Sequence, residues 1–209
     1  MDSPDWINNT TVADNIVVEI GFLIASSFYT GPENDFTPEQ WETAREPLYS
    51  PNVERYGDFI LSGVVAEDVP ELVAYYKDVL RLADLHGKDC DQQGHYFWMR
   101  PLVLQRGLFA MTFPWYDTMS ETDSFLQQIK ATDDGQIFWD IDQGWEMEAF
   151  ALGDWLYLRE SNPDENEDHF LIKCNKKQLQ SQLDPLLSQI GNILRKLRYE
   201  VGADYWSTR

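Results

Sequence analysis

Residues 145–160 read WEMEAFALGDWLYLRE, two alternating runs joined by Gly153-Asp154. A two-residue turn with glycine at its first central position is among the tightest strand reversals. It permits one pairing: Leu152 with Trp155, Phe150 with Tyr157, Glu148 with Arg159. Directly opposed residues point to the same face. One face therefore holds Trp145, Met147, Ala149, Ala151, Leu156, Leu158 and Glu160, which is nearly all apolar and requires a core against it. The other holds Glu146, Glu148, Phe150, Leu152, Trp155, Tyr157 and Arg159. A Glu148–Arg159 pair across the strands would contribute only about 0.2–1 kcal/mol. Two readings of this mixed face stay open. Another element, such as the C-terminal helix, covers its aromatics, or the face is a partner surface with aromatic and arginine anchors.

The flanking sequence supplies the material for that core. Leu179, Leu183, Leu186, Ile190, Ile193 and Leu197 recur at alternating four- and three-residue spacing, one apolar stripe on a long C-terminal helix. Pro185 predicts a kink, or a second segment capped by Asp184. In AEDVPELVAYYKDVLRLADLHG, Leu72, Val73, Tyr76, Leu80 and Ala83 share a helical face. Asp68 with Glu71 reads there as a capping box, and Gly87 as the stop. Thr37, Pro38 and Gln40 open another helix that must end before Pro47. Ser120 and Asp123 open a short one carrying Phe125, Leu126 and Ile129. VADNIVVEIGFLIASSFY, rich in valine and isoleucine, reads as a core strand with a helix as the alternative, HYFWMRPLVLQRGLFAMTF as two strands broken near Arg106-Gly107, and DHFLIKCN as a further strand. The expected fold is α+β: a single domain over residues 1–209, mainly antiparallel sheet packed by helices, with a long C-terminal helix.

Composition enters when function is asked. The chain has 209 residues, 36 acidic and 16 basic, for a formal net charge of -20. A surface this acidic repels nucleic-acid phosphates and anionic lipids, so neither nucleic acid nor membrane is the expected partner. The apolar run Ile16–Phe28 contains Glu19 and is shorter than the roughly 20 apolar residues a membrane span needs. The N-terminus, MDSPDWINN, lacks the basic region of a signal peptide, and Cys90 and Cys174 make no disulfide framework; a cytoplasmic protein is expected.

Acids gather around the hairpin. Asp140 and Asp142 precede it, sharing a side with Phe138, and Asp164, Glu165, Glu167 and Asp168 follow it in the turn sequence NPDENED. Asp140-x-Asp142 can bind a hard cation, but the spacing is not that of a calcium loop. His86, His95 and His169 form no paired metal motif, and His169 with Cys174 within one strand is a poor nucleophile–base arrangement. No nucleophile elbow, phosphate loop or dinucleotide fingerprint is present. The expectation is a noncatalytic protein with no cofactor and no metal. Its expected partner-binding residues are Asp140, Asp142, Glu146, Glu148, Phe150, Trp155, Tyr157 and Arg159.

The segment GWEMEAFALGDWLYLRESNPDENEDHFLIKC, followed by the leucine-rich helix and VGADYW, resembles bacterial immunity proteins of polymorphic-toxin loci, in particular the immunity-protein family numbered fifty-two. The resemblance covers the chain from about Gly135 onward. It implies a cytoplasmic antidote whose partner is a nuclease toxin of restriction-endonuclease fold, often delivered by type VI secretion. A basic nuclease surface would complement an acidic inhibitor. Two alternatives stand beside it: a metal-assisted hydrolase using Asp140, Asp142 and His169, and a secretion adaptor or chaperone.

Overall fold

The computed structural model describes residues 3–32, 34–105, 109–113, 117–131, 133–142 and 144–207, with side chains throughout these except at 91, 109, 110 and 142. In chain order the strands and helices are β1 (Thr11–Val12), β2 (Val17–Leu23), β3 (Ser27–Tyr29), α1 (Pro38–Thr43), β4 (Arg45–Pro47), β5 (Phe59–Leu61), α2 (Ser62–Glu67) and α3 (Val69–Leu85). There follow β6 (Met99–Gln105), β7 (Phe109–Thr112), α4 (Met119–Ala131), β8 (Gly135–Asp142), β9 (Trp145–Leu152), β10 (Trp155–Asn162), β11 (Glu167–Asn175) and α5 (Lys176–Val201). The class is α+β, as expected, with antiparallel pairing dominant and α5 its longest helix. Among the described residues no helix is long and apolar enough to cross a membrane. The expected strand break at Arg106-Gly107 lies outside the described residues.

The chain gathers into two compact units. The first comprises residues 1–20 and 100–188, the second residues 21–99 and 189–209.

The first unit is built on a five-stranded sheet in the order β1-β11-β10-β9-β8. Its β9–β10 ladder has the register set by the Gly153 turn: Leu152 opposite Trp155, Phe150 opposite Tyr157, Glu148 opposite Arg159. Gly153 sits at φ +58, a conformation that favours glycine. One sheet face is dry, with Met147, Ala149, Ala151, Leu156 and Leu158 fully buried. Phe138 on this face meets Phe125 of α4 at 4.9 Å between ring centroids, and Phe125 meets Phe113 at 4.6 Å. Helix α4 is capped by Thr118 rather than by Ser120 or Asp123. The Thr118 hydroxyl accepts from the Glu121 amide, and the Glu121 carboxylate accepts from the Thr118 amide.

In the second unit, Tyr75, Tyr76, Val79 and Leu82 of α3 are buried with Phe97 and Trp206. The expected α1 capping box forms between Thr37 and Gln40. The one expected at Asp68 does not: Asp68 makes no side-chain cap. The Glu71 carboxylate accepts instead from the Asn52 amide at 2.6 Å and the Tyr49 hydroxyl at 2.9 Å. A long-range pair of donors has outcompeted the local cap.

The C-terminal stripe is buried along its whole length, from Leu179 to Leu197. Pro185 neither ends α5 nor starts a new segment; it lies inside one continuous helix. Proline removes one backbone hydrogen bond, and the apolar side chains buried on either side of it hold the helix together. Asp184 is not a cap but an ion-pair partner of Lys130, at 2.5 Å.

Candidate functional site

The mixed face of the first unit's sheet divides into two halves. Toward the Gly153 turn, Phe150 and Tyr157 are not a surface. They form a small core with Ile7, which stands on a 3-10 turn at Asp5–Asn9, and Trp6 and Trp155 pack against it. The Trp6 and Tyr157 rings meet edge to face at 6.4 Å. Lys173 lies 5.3 Å above the Trp155 ring. The cover comes from the N-terminal turn, not from the C-terminal helix. Phe150 and Tyr157 are therefore packing residues, and Trp155 keeps only part of its ring in solvent.

Toward the Gly144 turn the face is charged. Arg159 reaches Glu148 at 2.9 Å, Asp168 at 2.7 Å and Glu146 at 3.5 Å. Partial burial works against the guanidinium charge, and Asp168 and Glu148 outweigh it, raising the Arg159 pKa. Glu146 also accepts from the Ser161 hydroxyl at 3.1 Å and the Trp139 indole N–H at 2.7 Å. One cation thus ties together three carboxylates, where the sequence suggested a single pair. Glu146 and Glu148 belong to this lattice and are largely covered. Ser161 stands opposite Glu146 in the hairpin pairing, whereas Asp168 and Trp139 are members that this pairing alone does not reveal.

Strand β8 is one edge of the sheet, pairing with β9 alone among the described residues. Opposite Glu148 stands Trp139, and opposite Glu146 stands Ile141. These two side chains are 52% and 44% exposed, large apolar groups on a carboxylate lattice. Asp140 pairs with Met147 and Asp142 with Trp145, so both positions lie on the opposite face from Glu146 and Glu148. The acids expected to act together are split between the two faces. The cause is the turn at Gly144 (φ +80), which sets Asp142 against Trp145 and so decides the parity of β8 from Phe138 to Asp142, up to the register shift after Gln136. The Gly144 signal is in the sequence and would have given this result. The side chain of Asp142 lies outside the described residues. Asp140 accepts from the Ile141 amide at 3.0 Å, occupying a donor on this edge strand. In the acidic turn, a carboxylate oxygen of Asp164 comes within 3.0 Å of where a Gly144 side chain would begin.

Beyond Met147 on the dry face lies Glu160, 6% exposed. Burial pushes its carboxyl up to about 7 from 4.5, against the opposing influence of His169. Burial also pushes the Cys174 thiol up to about 12, which leaves it a poor nucleophile. Among the described residues no group of three or more His, Cys, Asp or Glu is placed to hold a metal ion.

Glu160 has a consequence for stability. The folded protein retains its proton between about pH 4.5 and 7, where the unfolded chain has lost it. Its contribution is therefore full below pH 4.5 and declines as the pH rises through 7. Glu160→Gln is expected to be more stable than wild type by about 1–2 kcal/mol above about pH 8, a figure reduced for residual solvent screening, and to match it near pH 4. Urea unfolding across this range tests it; an unchanged pH slope in the variant would assign the slope to other groups.

Comparison with protein-family models, with curated proteins and with solved structures finds no match for this chain.

Proposed function

We propose that this is a noncatalytic immunity protein, which binds a cognate nuclease toxin through the β8 edge and the adjoining acidic lattice and neutralises it by occlusion. The observation that carries this reading is the pairing of exposed Trp139 and Ile141 with the Glu146–Arg159–Asp168 network on a chain of net charge -20. Interfaces combine apolar anchors that lose water with charges that steer a partner of opposite sign. A nuclease toxin presents such a basic surface. The sequence resemblance to bacterial immunity proteins points the same way, and with it a cytoplasmic site of action.

The test is binding to the product of the neighbouring gene. Trp139→Ala is expected to weaken the complex by about 2 kcal/mol, through faster dissociation. Glu165→Lys, in the exposed turn, is expected to slow association most at low salt, where screening is weakest. Folded variants that bind and protect cells like wild type would remove this face from consideration. An acid–base enzyme has one observation in its favour, the buried Glu160 carboxyl beside His169. Turnover lost in Glu160→Gln but retained in Trp139→Ala would support that reading instead.

A further inference from the structure

In the second unit a groove of about 750 Å³ runs between the first turns of α3 and the last turns of α5. That volume falls within the roughly 300–1,000 Å³ typical of small-molecule sites. Val69, Val73 and Ala74 give it an aliphatic wall. Arg195 and Lys196 stand on the opposite wall, beside Tyr199, which is 85% exposed.

The rim is charged where the opposite wall is aliphatic, and its two cations stand side by side in sequence. Elsewhere in this acidic chain Arg81, Lys130, Arg159 and Arg198 each lie within 3.0 Å of a carboxylate oxygen, while Arg45 and Arg55 are held by neutral oxygens and Lys173 lies over the Trp155 ring. Arg195 has only the neutral Asn192 amide oxygen, at 3.0 Å, and Lys196 has no hydrogen bond or ion pair among the described residues. Lys77 and Glu200 cancel each other across the groove at 3.6 Å. The rim therefore carries two adjacent, uncompensated cations against an apolar wall.

We propose that this groove binds a free single-chain anionic amphiphile, with its hydrocarbon chain along Val73 and Ala74 and its carboxylate at Arg195 and Lys196. The chain would remove apolar surface from water, and the head group would supply the missing counter-charge. A free molecule is favoured over a bilayer because a net charge of -20 repels an anionic lipid surface. The site is independent of the toxin-binding reading.

The experiment titrates the full chain with monomeric decanoate, decanol and decyltrimethylammonium, followed by calorimetry and by amide NMR shifts. Decanoate is expected to bind saturably at one site, shifting Ala74 and Lys196, with at least about tenfold higher affinity than the cationic amphiphile. Lys196→Glu, an exposed substitution, is expected to weaken decanoate at least about tenfold. Ala74→Trp is expected to block decanoate by filling the groove, once circular dichroism shows the variant folded. Equal binding of the cationic amphiphile would overturn the proposal. So would shifts mapping elsewhere, an unaffected Lys196→Glu variant, or binding confined to phosphatidylglycerol vesicles.

Discussion

Trp206→Ala is expected to lower folding stability by about 3–5 kcal/mol, the range for removing a large buried aromatic. Trp206 has no exposed surface although only three residues of the sequence follow it. Its ring meets Tyr76 at 5.1 Å and Phe97 at 5.8 Å, both close to edge-on, and Phe97 stacks on Tyr76 at 5.0 Å. The chain is turned back for this contact after Gly202, at φ +84. Asp204 then accepts from the amides of Trp206 and Ser207, each at 3.2 Å, and pairs with Arg198 at 3.0 Å. Partial burial opposes ionisation of Asp204, but these donors outweigh it and hold its carboxyl below the usual carboxylate range. The anchored backbone cannot easily follow the lost side chain, so the cavity persists rather than collapsing. Urea unfolding of the full chain measures the loss. A deficit below about 1 kcal/mol would mean that the terminal segment is not packed as described.

Phe125→Ala is expected to cost about 3–5 kcal/mol for the same reason, with a second effect on the candidate site. Phe125 is fully buried between Phe113 and Phe138, and Phe138 is the β8 residue that ties the edge strand to the core. Trp139 and Ile141 face away from that core, and on its far side β8 has no neighbouring strand among the described residues. Loss of the Phe125 ring should therefore accelerate amide exchange in β8 more than in β10, which has partners on both sides. Partner binding should weaken although no exposed residue has changed. Uniform acceleration over the sheet would show that the ring supports the unit as a whole and not the edge strand in particular.

Much of this was legible because it is short-range. A two-residue turn and a period of two determine the β9–β10 register, so the Glu148–Arg159 pairing follows from the letters around Gly153. The apolar stripe of α5 follows from helical periodicity in the same way, and so does the Thr37–Gln40 capping box. The split of the acids was also local, written at Gly144: once Asp142 stands opposite Trp145, Asp140 must take the face away from Glu146.

Other features depended on residues far apart in the chain. Nothing near Phe150 or Tyr157 indicates that Ile7 and Trp6 will cover them. Whether an aromatic is core or surface is decided by what arrives from elsewhere, and alternation alone does not contain that information. The same holds for Glu71, taken from its expected cap by Tyr49 and Asn52, and for Pro185, kept helical by the packing on either side. Glu160 is the sharpest case. Its place on the apolar face followed from parity, but its proton affinity depends on how completely water is removed, and only the assembled sheet determines that.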